Sequence, residues 1–213
     1  MKTLIAFFGL SLVCLGQVSK AETLEPVFLH TDQIMKTYVT AVGEHQSKVQ
    51  YAKLKEHHGE LDSLVKEFEA VSAETFKTWS QNKQIAFLID AYNILTFKLI
   101  VDHYPVPSIR NIGGFLVSNF SNQWKIKFFK LLGGRAEYLD AIEQEILRKD
   151  YHENRIHFAL VCASKSCPPM RNEAYTEAKL DQQLNEQKKK FIRDPERNNF
   201  QDDLQILNLK SKK

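Results

Sequence analysis

The chain has 213 residues, with 29 lysines and arginines against 26 acidic residues and a formal net charge of +3. That length supports one domain with a proper core. A balance so near neutral gives no electrostatic argument for nucleic acid or an anionic membrane surface.

Residues 1–21 read as a secretory signal peptide: Lys2 starts it, Leu4 to Gly16 is an apolar core too short to span, and Ser19-Lys20-Ala21 fits a small-x-small cleavage site. Cys14 follows Leu12-Val13 rather than a small residue, which argues against lipidation. Loss of Lys2 and Lys20 leaves 27 basic against 26 acidic residues over 22–213, which is expected to form a single domain. No transmembrane anchor is expected after signal removal, because the long apolar stretch at 85–101 is broken by Asp90, Asn93 and Lys98. The expected location is secreted or periplasmic, an oxidising compartment in which the two remaining thiols, Cys162 and Cys167, can pair.

In chain order, Glu25-Pro26-Val27 reads as an extended lead into a helix over Thr31–Val42, capped by Thr31 or Asp32. Residues 49–54 are ambiguous between strand and helix. Leu61, Leu64, Val65, Phe68 and Val71 follow helical spacing and predict an amphipathic helix. Ser72 is expected to cap a short helix ending near Trp79, and Ser80 the next, which runs from Gln81 to His103. That helix is apolar almost all round and belongs at the centre of the domain. Its polar exceptions are Asp90 and Asn93, three apart on one face, with Thr96 a further turn along. Buried polar groups must be hydrogen-bonded, so these residues either hold a neighbouring backbone segment or line a site.

Pro105-Val106-Pro107 ends the helix. A loop with Gly113-Gly114 follows, then a β-hairpin expected over 125–138 about Gly133-Gly134. Asp140, with Glu143 three residues on, forms a capping-box pattern for a helix to Arg148. Ile156 to Val161 reads as a buried strand that ends in the turn Cys162-Ala163-Ser164-Lys165-Ser166-Cys167-Pro168-Pro169. Thr176 is expected to cap a helix to about Arg193, with Leu180, Leu184 and Phe191 inward and Lys188–Lys190 solvated. Leu204 to Leu209 is a last strand, before a basic tail from Lys210.

The segments FLIDAYNILTFKLIVDHYPVPSIRNIG, YLDAIEQEILR and RIHFALVCASKSCPPMRNEAYT, in that order and spacing, resemble domain of unknown function family 547. The resemblance covers roughly Val49 to Leu209 and brings no established activity. It implies frequent export in bacteria, and, through animal relatives joined to glutaredoxin-like domains, an association with thiol chemistry. The family usually has Asn where this chain has Asp90 and Trp where it has Leu88. It usually continues past the final strand, so the ending here reads as shortened.

Two readings of the cysteine turn stay open. In the first it is a thiol site: Cys162 is the nucleophile, or the pair cycles between dithiol and disulfide, with Lys165 and the turn's N–H groups favouring thiolate. His157 is a tempting base, yet in a strand it faces away from Cys162 and lies about 16 Å off. His103 or Asp90, brought in from the central helix, are the better bases. In the second reading Cys162–Cys167 is a stabilising disulfide in a non-catalytic binding or structural domain, contributing about 2 kcal/mol by loop closure. A metal site of His157 with the thiols lacks a fourth ligand at sensible spacing, and no cofactor is implied.

The expected fold is α+β: a single helix-rich domain with a small, mainly antiparallel sheet, built from 125–138, 155–161 and 204–209, around the buried central helix. Cys162, Cys167, His157 and Lys165 are the candidate reactive residues. Asp90, Asn93, Thr96 and His103 are the candidate binding residues, for a small-molecule or protein partner of unspecified kind.

Overall fold

The structure, a computed structural model, describes residues 25–112, 123–163, 167–196, 198–201 and 206–209. The expected leader over 1–21, the Gly113-Gly114 loop, Lys165 and the tail from Lys210 lie outside the described residues.

Helix α1 spans Pro26–Tyr38, with proline in the first turn, where its missing N–H is no loss. The expected cap at Thr31 or Asp32 is therefore corrected: Thr31 donates its hydroxyl to the Val27 carbonyl inside the helix, and Asp32 pairs with Lys36 one turn on. The helix also stops earlier than expected. β-Branched Val39 and Thr40 open strand β1 (Val39–Val42), which pairs antiparallel with β2 (Gln46–Val49) across a turn where Gly43 takes φ +61°. The short helix α2 (Tyr51–Glu56) settles the ambiguous stretch, and α3 (His58–Ala70) buries Leu61, Leu64, Val65 and Phe68 as expected.

Ser72 caps α4 (Ala73–Thr78) by accepting from the Thr75 N–H, and Ser80 caps α5 (Gln81–Asp102) by accepting from the Lys83 N–H. Helix α5 is the centre of the domain and is buried continuously from Ile85 to Phe97. It packs on α2 and α3, and Phe87 sits among Phe68, Phe76 and Trp79 with ring centroids 5.1, 5.7 and 5.3 Å away. Because Ser80 satisfies one of the orphan N–H groups at the start of this helix, Ser80→Ala is expected to lower unfolding free energy by about 1 kcal/mol in a urea titration.

The second half departs from the expected sheet. Over 125–138 only an isolated bridge, Leu131 to Ala136, forms, because Leu132, Gly133 and Gly134 all take positive φ and make a wide turn. No capping box forms at 140–143. Asp140 is itself helical, and Glu143 accepts from Arg148 instead of reaching back. A π-helical segment, Ala141–Leu147, continues into α6 (Arg148–Tyr151). The expected strand at 155–161 is a 3-10 helix over Asn154–Phe158 followed by chain in no regular secondary structure. Its apolar residues are buried against the helical core rather than within a sheet. Helix α7 (Leu180–Ile192) follows another 3-10 turn, and Phe191 is half-buried, not inward. Thr176 makes no side-chain cap there. Strand β3 (Asn198–Gln201) pairs antiparallel with β4 (Ile206–Leu209). The architecture is thus a helix-rich α+β domain carrying, among the described residues, two separate two-stranded antiparallel sheets.

Candidate functional site

The chain around the cysteines crosses the polar notch of α5, and among its described residues the long-range hydrogen bonds come from side chains rather than from a neighbouring strand. Asn93 donates from Nδ2 to the Ala159 carbonyl at 3.0 Å and accepts the Val161 N–H on Oδ1 at 3.0 Å. A buried amide can bracket a chain in this way because it carries both a donor and an acceptor. On the far side of the cysteines, Gln187 of α7 donates from Nε2 to the Pro169 carbonyl at 2.6 Å and also reaches the Phe158 carbonyl at 3.4 Å. Ser47 of β2 accepts the Met170 N–H at 2.7 Å. Further along, Gln183 donates to the Ala174 carbonyl at 2.8 Å and accepts the Thr176 N–H at 3.1 Å, while Asp90 accepts the Tyr175 N–H at 3.1 Å.

Between these tethers Cys162 and Cys167 form a disulfide, with Cα atoms 6.1 Å apart. The two sulfurs are not equivalent. Cys167 is buried, 8% exposed, with Pro168, Pro169 and Met170 buried beside it, whereas Cys162 is half-buried.

The electrostatics beneath the segment are unusual for a core. Burial holds the Asp90 carboxyl well above the ordinary carboxylate range; the Tyr175 N–H opposes this, and the charges of Asp32 and Glu173 reinforce it. Its Oδ2 and the Tyr175 hydroxyl are both buried without a hydrogen-bond partner among the described residues. Burial likewise pushes the Tyr175 phenol up. Arg171 lies over the Tyr175 ring, 6.0 Å from its centroid, paired to Glu173 and to Glu186 at 2.9 Å. Burial works against its charge, and the two glutamates more than restore it.

Of the residues singled out by sequence, Cys162, Cys167, Asp90 and Asn93 converge on this segment. Thr96 and His103 do not reach it. The Thr96 hydroxyl donates to the Tyr92 carbonyl at 2.8 Å, and His103 Nδ1 lies 2.8 Å from the Leu99 carbonyl, so both are satisfied within α5 and its end. His157 is exposed and stands edge-on to Phe158 and Phe191, with centroids 5.6 and 6.3 Å away. Among the described residues no histidine or aspartate hydrogen-bonds either sulfur, and no three ligating side chains stand together for a metal. Lys165 lies outside the described residues.

Sequence reasoning missed Gln183 and Gln187. Their signal was present: with Leu180 and Leu184 they complete an i, i+3, i+4, i+7 stripe on α7, and all four are buried. Glutamines inside an inward stripe are amides with backbone to hold.

A family model described as "Protein of unknown function, DUF547" matches residues 76–192, a span that runs from α4 through α5 and the cysteine segment to the end of α7. No curated protein and no solved structure matches the chain.

Proposed function

Because the chain belongs to the DUF547 family, and that family is described without an activity, we propose a function from the site itself: an exported protein whose Cys162–Cys167 pair is a reversible dithiol–disulfide centre acting on external thiols. One observation carries the reading. The chain is tethered on both sides of the bridge by Asn93 and Gln187, at Val161 and Pro169, independently of the sulfurs. Opening the bridge therefore releases only the short arc between them, and the fold does not depend on it. Loop closure over so short an arc contributes about 2 kcal/mol, little beside what a core supplies.

The half-buried Cys162 is the sulfur open to attack. An incoming thiolate forms a new S–S bond to Cys162 Sγ, the Cys162–Cys167 bond breaks, and Cys167 Sγ leaves as thiolate and takes up a proton. A second external thiol attacks the mixed disulfide, leaving both cysteines reduced and two external sulfurs joined: two electrons in, one external disulfide out. No protein base is required, since the attacking group arrives as thiolate. Residues 1–21 support export, and the described helix long and apolar enough to cross a membrane, Gln81–Asp102, is mostly buried within the domain.

The folded protein, equilibrated in glutathione redox mixtures and trapped with an alkylating probe, is expected to interconvert reversibly between both states. The reduced form should keep its far-ultraviolet circular dichroism, with unfolding free energy lowered by about 2 kcal/mol. Cys167→Ser should accumulate a glutathione adduct on Cys162. If the bridge resists glutathione in the folded protein, or if reduction unfolds it, the second reading holds instead, a non-catalytic binding or structural domain stapled by its disulfide. The burial of Cys167 with both prolines is what favours that alternative.

A further inference from the structure

A cleft of about 300 Å³ lies between α4 and the turn at 131–135, remote in sequence from the cysteine segment and lined by Ala73, Phe76, Lys77, Leu132 and Arg135. Its size is at the lower end of the range for small-molecule sites. Phe76 and Leu132, each 3% exposed, give it an apolar wall. The rim is cationic. Lys77 is exposed and makes no ion pair among the described residues, and Arg135 is shared with Asp150, so one positive charge is left in excess. Glu74, on the same helix as Lys77, does not line the cleft.

The turn adds a second, independent observation. Leu132 takes φ +52°, a left-handed conformation that costs a non-glycine residue about 1–2 kcal/mol. Two glycines follow it directly, at φ +70° and +98°, so the turn has residues that adopt this region freely. Leucine is nonetheless the residue held there, and its side chain closes the apolar wall. A strained position that presents a side chain to a cleft marks a site more than a connection. The Gly134 and Ala136 N–H groups are both taken by the Leu131 carbonyl, so they offer no cradle to a phosphate.

We propose that this cleft binds a small apolar monocarboxylate, its hydrocarbon against Phe76 and Leu132 and its carboxylate at Lys77 and Arg135. The test is isothermal titration of the full chain with sodium octanoate and, separately, with 1-octanol. Octanoate is expected to bind saturably at one site, octanol about tenfold more weakly, and Lys77→Glu to lose about fivefold in octanoate affinity. Ala73→Trp, which fills the cleft, should abolish binding with circular dichroism unchanged. Should that variant misfold, the exposed Lys77→Glu substitution decides. Equal binding of octanoate and octanol, no saturable binding of octanoate, or undiminished affinity in Lys77→Glu would each overturn the assignment.

Discussion

Asn93→Ala is expected to lower the unfolding free energy by about 3 kcal/mol, the sum of two buried backbone groups left unpaired at about 1–3 kcal/mol each, moderated by relaxation. The groups are the Ala159 carbonyl and the Val161 N–H. No strand among the described residues lies alongside to replace the lost partner, because 155–161 is 3-10 helix and irregular chain rather than sheet. Thr96→Val makes the control. It removes a buried hydroxyl from the same helix, but one that bonds only its own Tyr92 carbonyl, itself already part of the helical ladder, so its cost should stay below about 1 kcal/mol. Urea titrations of both variants measure the contrast. A loss of less than about 1 kcal/mol in Asn93→Ala would mean that the amide does not hold the segment. On the proposed function the same variant should also speed reduction of the disulfide, since one of its two tethers is gone.

Half of this site was legible in the chain itself. A helix that is apolar all round must be central, and the only way it tolerates Asp90 and Asn93 is to give them partners. What could not be read was who the partners are, because Asn93 meets residues 66 and 68 positions away and Asp90 meets one 85 away. Thr96 belonged to the same polar series by spacing and His103 was a candidate base from the same helix, yet each had a carbonyl of that helix four residues back to satisfy it. Spacing does not distinguish these cases; the register of the crossing segment does.

The fold divides along a similar line. Ser72 and Ser80 cap their helices through bonds three residues long, and such local chemistry is read directly from sequence. The run Ile156–Val161 looks like a strand because it is apolar and branched, but burial against the helical core asks for the same composition. The helix expected over 31–42 departs for another reason. Its inward residues Ile34, Met35 and Tyr38 keep helical spacing up to the point where Val39 and Thr40 turn into β1, so periodicity alone carried the expected helix four residues too far.

Asp90→Asn is expected to leave the protein about as stable as the native sequence near pH 4 and more stable above it, with a gap that widens by up to about 1.4 kcal/mol per pH unit until the folded carboxyl titrates and is constant thereafter. The sign follows from burial. In the unfolded chain Asp90 releases its proton at an ordinary carboxylate value, near 3.8, whereas in the fold desolvation keeps the proton on well above that. Over this window the unfolded state binds fewer protons than the native state, so stability falls as pH rises from the unfolded value until the folded value is passed. An amide at this position keeps an oxygen to accept the Tyr175 N–H and has no proton to lose. The resemblance to a family that usually carries Asn here fits the same physics, since a protonated carboxyl and an amide are both uncharged and both present a carbonyl acceptor beside a donor group. Urea titrations of the two proteins from about pH 4 to about pH 8 should therefore diverge, and parallel curves would show that Asp90 does not keep its proton on folding. Because the Tyr175 tether lies on the same segment as the disulfide, alkylation after mild reduction should rise with pH in the native sequence more steeply than thiolate formation alone requires. Asp90→Asn should remove that excess.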